Sequence, residues 1–141
     1  MQFKWGQRWA SELLSILRIV SAGSFFTHGT MKLLGWPAPF EYPLNTMLYV
    51  AGALELIGGF LLLVGLFARP VAFLLSGLMA FAYVIVHSPQ GFFPVLNHGE
   101  AAILYCFLFL YIAAAGPGSL SIDAWVERGH EPAPAGSPGS T

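Results

Sequence analysis

Apolar residues fall into four long blocks along the chain, roughly 11–35, 44–67, 70–88 and 99–115, each of 17–25 residues. A helix needs about 20 residues to cross a bilayer's hydrocarbon core, so the pattern predicts an all-α, polytopic membrane protein. Its expected architecture is an antiparallel bundle of four transmembrane helices. The breaks agree with that reading. "GWPAPFEYP" separates the first two blocks with three prolines, "ARP" makes a tight corner after the second, and "HSPQGFFPVLNHG" joins the third to the fourth. Asn97 and Glu100 have the N-x-x-E spacing of a capping box, and "GPGSLSID" stops the fourth helix with glycine and proline. The predicted division is an N-terminal segment 1–10, a membrane domain 11–123 and a tail 124–141. The small, Pro-rich end of that tail, "EPAPAGSPGST", is expected to be disordered.

Composition sharpens the membrane assignment. The 141 residues are 56% apolar and only 9% charged, with mean hydropathy +0.68, whereas soluble domains carry about 25% charged residues. Too little polar side chain is present to cover a water-facing surface, so the lipid bilayer is the expected surrounding. The net charge of −1 excludes nucleic acid, which wants a clustered basic face. Lys4 and Arg8 before an apolar run resemble a signal peptide, but Arg18 interrupts the run and no small-x-small cleavage site follows, so a retained first helix is expected. Lys4, Arg8, Arg18, Arg69 and Arg128 fall on one side and Lys32 alone on the other. The positive-inside rule then puts both termini in the cytoplasm and the loops near 36–43 and 89–98 outside. Trp36, Phe40, Tyr42, Phe92 and Phe93 would form an outer aromatic belt, and Trp5, Trp9 and Trp125 an inner one.

One acid, Glu55, sits in the middle of the second block. At about 100° per residue its face collects Gly52, Gly58 and Gly59, and small residues in membrane helices mark close helix–helix approach. Glu55 is therefore expected to look inward. The first block offers a matching stripe of Ser11, Ser21, Ala22, Gly29 and Lys32 around Arg18, with His28 at its edge. Arg18 is the expected partner, because a guanidinium can hold a carboxylate with two hydrogen bonds. This buried charge cluster of Arg18 and Glu55 reads either as a clamp that fixes helix register or as a proton-handling, ligand-facing site.

A second polar set gathers at the outer end: His28, Lys32, Tyr83, His87, His98 and Glu100. No His-x-x-x-His pair supports a metal there, so none is expected. Interfacial residues bonded to water and headgroups are one reading. A site for a polar or redox-active small molecule, with His and Glu exchanging protons, is the other. The single Cys106 has apolar neighbours and no partner for an intramolecular disulfide. No c-type haem motif, P-loop or dinucleotide fingerprint is present.

Three stretches carry a family resemblance: "RIVSAGSFFTHGTMKLLGW", "AGALELIGGFLLLVGLFARPVA" and "HGEAAILYCFLFLYIAAAGPGSLSID". With these, in this order and over 18–123, the chain resembles the DoxX family of small four-helix membrane proteins. The family's polar positions fall here on Arg18, Gly29, Lys32, Glu55, Arg69, Gly99, Glu100, Gly116, Gly118 and Asp123; His98 departs from the pattern, where the family often has glycine. The resemblance implies a bacterial inner (plasma) membrane and a subunit of the kind associated with thiosulfate:quinone oxidoreductase chemistry. The expected function is a component of a membrane redox system that binds a quinone-like small molecule, with membrane or soluble redox proteins as partners. A quinone is the one cofactor implied, no catalytic residue is assigned, and oligomerisation is left open. The alternative is a non-catalytic membrane scaffold or small-molecule carrier.

Overall fold

In the computed structural model of the chain, which describes residue 6 and residues 8–130, residues 1–5 and 7 and the tail beyond His130 lie outside the described residues. The predicted disorder of the tail's end and the inner-belt position of Trp5 therefore fall outside them too. The protein is all-helical, with no strand among the described residues. The helices are α1 (Ala10–Leu34), α2 (Thr46–Val64), α3 (Ala68–Ala82), α4 (Glu100–Ala115) and α5 (Ile122–His130). A π-helical turn, Tyr83–His87, and a short 3-10 turn, Ser88–Gln90, extend α3. Thr46–Val64 and Ala68–Gln90 are each long and apolar enough to cross a membrane.

Local chemistry sets the ends. Asn45 caps α2 by accepting the Leu48 N–H at 2.9 Å, and Gly35 and Gly65 close α1 and α2 in the left-handed conformation. Helix α4 starts differently from the predicted capping box. Gly99 is its N-cap, and the Asn97 side chain accepts from the Gly99 N–H at 2.8 Å instead of reaching into the helix. The left-handed His98 (φ 56°) turns the chain just before the helix, which puts Asn97 out of cap position.

Two antiparallel helix pairs result, α1 with α2 and α3 with α4. Glycines set the register of the first. A Cβ on Gly29 would lie 2.5 Å from the Leu56 nitrogen and one on Gly59 3.0 Å from the Phe26 Cα, so the two backbones touch where only hydrogen fits. The second pair is fixed at one end by Arg69, which donates to the Ala113 and Ala114 carbonyls at 3.0 and 2.5 Å, and midway by the Ser76 hydroxyl donating to the Cys106 carbonyl at 2.8 Å. Between the pairs lies the buried core, with Phe25, Leu62, Leu75, Phe109 and Ile112 at its centre. Outward positions are apolar as well: Ile57, Phe60, Phe73, Phe81, Leu104 and Phe107 are all more than half exposed. The inward faces hold the small and polar residues, among them Gly52, Glu55, Gly59 and Ser76.

Candidate functional site: an apolar cleft between the helix pairs

At one end of the molecule the pairs are tied together, and the tie explains Arg18. Its side chain is fully buried and donates to four carbonyls: Leu62 at 2.6 Å, Leu63 at 2.5 Å, Pro117 at 2.8 Å and Leu120 at 2.5 Å. The guanidinium thus satisfies the open C-terminal carbonyls of α2 and binds the 116–121 loop to α1. Positive charge at that position also complements the helix dipole. Asp123 does the reverse job, its carboxylate accepting the Phe67 and Ala68 N–H groups at 2.9 and 2.8 Å at the start of α3.

Arg18 is consequently not the partner of Glu55. In the register set by Gly29 and Gly59, Glu55 stands level with Thr30, twelve residues from Arg18, or about 18 Å along the helix at ~1.5 Å per residue. Lys32 is the partner instead. Its ammonium donates to both Glu55 oxygens, at 2.5 and 2.6 Å, with 11% and 4% of the two side chains exposed. The Lys32 nitrogen also lies 5.6 Å from the centre of the Phe40 ring, close enough for cation–π attraction.

The other end is open. A cavity of about 1050 Å³ occupies the space between the helix pairs there, lined by Phe25, His28 and Lys32 of α1, Glu55 and the first turns of α2, Met79 and Ala82 of α3, His87, His98 and Tyr105. Its floor is aromatic. Phe25 meets Phe109 edge-on at 4.9 Å and Tyr105 at 5.2 Å, and the Tyr105 hydroxyl, donating to Ser24 at 2.9 Å, bridges α4 to α1. An apolar slot with a few fixed polar groups is the usual form of a small-molecule site.

Of the six outer residues singled out from sequence, His28, Lys32, His87 and His98 border this cavity. Tyr83 and Glu100 do not. Tyr83 stacks behind His87, ring centres 6.4 Å apart, and Glu100 is exposed at the head of α4. Glu55, read as half of a buried charge cluster that is either a clamp or ligand-facing, is on the cavity wall. Two residues that the sequence does not mark as part of this site matter here. Tyr105 forms part of the floor, signalled only by its aromatic ring on an inward turn. Fully buried Asn97 accepts a 3.0 Å hydrogen bond from His87 through its backbone carbonyl, a role with no signature in sequence.

The DoxX family model matches residues 13–88. The chain is 42% identical over 124 residues to an uncharacterized protein of Haemophilus influenzae, an alignment covering 83% of this chain and 92% of the relative. A second uncharacterized protein of that organism is 30% identical over 126 residues, covering 82% and 83%. A Bacillus subtilis protein named "Putative oxidoreductase CatD" is 29% identical over 120 residues, covering 81% and 87%. No solved structure matches the chain.

Proposed function

The chain belongs to the DoxX family, and from that premise we propose that it is an integral component of a membrane redox system that holds a quinone-like molecule in the cleft. Helices α1 to α4 would span a bacterial inner membrane as a four-helix bundle, with both termini in the cytoplasm and the cleft toward the outer face. The outward apolar side chains support the membrane placement, because in lipid they need no polar cover. The Lys and Arg asymmetry supports the orientation.

The cleft is the observation that carries the ligand reading. It is apolar enough to take an isoprenoid or alkyl tail, and its wall carries a buried Lys32–Glu55 pair and imidazoles that can hydrogen-bond a ring oxygen. A quinone takes up two electrons and two protons when it is reduced; Lys32 is the residue of this chain that would donate to a ring oxygen, with Glu55 holding the ammonium in place and His87 on the facing wall. Electron carriers would come from partner proteins, in line with the oxidoreductase name of the Bacillus subtilis relative. Purification from the native membrane in mild detergent, followed by mass spectrometry of bound lipophilic molecules, tests the reading. A quinone at near-stoichiometric amount is expected; phospholipid alone would overturn it.

A second reading, a non-catalytic scaffold or carrier, draws on the opposite end of the molecule. There Arg18, Arg69 and Asp123 are all engaged with main-chain groups and hold helix ends together.

A further inference from the structure

The imidazole of His87 has only one way to be protonated when neutral. Its Nδ1 lies 3.0 Å from the Asn97 carbonyl oxygen, and a carbonyl only accepts, so Nδ1 carries the hydrogen. Nε2 is left with its lone pair. A half-turn of the ring would put Cδ2, not a nitrogen, opposite that carbonyl and lose the bond, so the orientation is held. Tyr83 stacks on one side at an interplanar angle of 25°, and the carbonyl is anchored because the Asn97 side chain donates to the Gly91 carbonyl at 2.7 Å and accepts from Gly99 at 2.8 Å. The π-helical turn Tyr83–His87 delivers the side chain to the cavity wall; such turns often occur at functional sites. His28 and His98 also border the cavity, but among the described residues His87 alone has a tautomer fixed by a main-chain carbonyl at the cavity.

The two helix pairs therefore offer opposite hydrogen-bonding characters. The α1–α2 pair presents Lys32, an ammonium with three N–H groups, two of them engaged by Glu55. The α3–α4 pair presents an acceptor, Nε2 of His87. A fully oxidised quinone has only acceptor oxygens, so it can satisfy Lys32 but leaves Nε2 without a donor. A hydroquinone satisfies both. We propose that the cleft selects the reduced, hydroxyl-bearing form of a dioxygenated ring, with His87 Nε2 accepting from the ring hydroxyl. This rests on the quinone reading above and adds the redox form that the site prefers. It makes His87 a specificity-determining residue.

The test is an anaerobic calorimetric titration of the full chain in lipid nanodiscs with a decyl-benzoquinone, its hydroquinone, and the mono- and dimethyl ethers of that hydroquinone. One net hydrogen bond to this acceptor corresponds to about tenfold in affinity. The hydroquinone and the monomethyl ether, which keep a hydroxyl, should bind about tenfold more tightly than the quinone and the dimethyl ether. His87→Asn keeps a donor for the Asn97 carbonyl but lacks the second ring nitrogen, and it should erase the difference. Equal affinity for all four ligands in the wild type, or an unaltered preference in His87→Asn, would overturn the assignment of His87 and leave a cleft that binds quinones of either form. Absence of binding by every ligand would overturn both the preference and the quinone reading. The ether series needs no variant, so it decides the matter even where His87→Asn does not fold.

Discussion

Lys32 and Glu55 are expensive to bury singly and tolerable as a pair. Lys32→Met leaves a carboxylate without its cation in a low-dielectric wall, and Glu55→Leu leaves an ammonium; each should lower stability by about 3–5 kcal/mol. The double variant Lys32→Met/Glu55→Leu should recover much of that loss in a thermal-unfolding assay in detergent, and equal damage by the single and double variants would contradict a mutual pair. His98 poses a different residue-scale question. It holds φ at 56°, where an L side chain crowds its own carbonyl, which costs about 1–2 kcal/mol relative to glycine. His98→Gly should therefore raise the unfolding temperature; a lowered one would show that the imidazole contributes more than the backbone strain removes. The inward direction of Glu55 was legible from the glycines around it. Its partner was not, because the register depends on where two backbones touch, and no rule of charge pairing encodes that. Arg18 was assigned to a carboxylate for its two-hydrogen-bond geometry, whereas the same planar donor set serves four carbonyls equally well.

Among the elements, the four apolar blocks and their breaks were readable because hydrophobic length and Pro/Gly punctuation are strong local signals. Predicted blocks at 11–35 and 99–115 meet observed helices at Ala10–Leu34 and Glu100–Ala115. The short α5 was assigned to a tail because nine residues of mixed polarity, Ile122–His130, carry too weak a periodicity to announce a helix. It is placed by tertiary contacts: Asp123 accepts at the start of α3 while its own N–H donates to the Gly65 carbonyl at 3.0 Å. Asp123→Ala removes that cap and should cost about 1 kcal/mol, read as increased amide exchange at Phe67 and Ala68. The α1–α2 contact responds to volume. Gly29→Ala drives a methyl into the α2 backbone, and overpacking of this kind costs about 1–3 kcal/mol. The same substitution at Gly77, where nothing lies within 4 Å of an added Cβ, is the control and should leave the stability within about 0.5 kcal/mol of wild type.

For the whole molecule, the composition pointed to a lipid surrounding and the outward-facing apolar side chains agree with it, but the cleft had no sequence signature. It lies at the end opposite the one where Arg18 and Asp123 tie the two helix pairs together, a property of how the pairs meet. Reporter fusions at Thr141 and within the 89–98 loop should report opposite sides of the membrane; the same side for both would contradict four spans. The most direct measurement is photoaffinity labelling in membranes with an azido-quinone, mapped by peptide mass spectrometry. The expected result is label on cavity-lining residues of α1, α2 and the 78–105 region, abolished by excess unlabelled hydroquinone. Label spread over the outward side chains Phe60, Phe73 and Phe107, and insensitive to competitor, would contradict a ligand in the cleft.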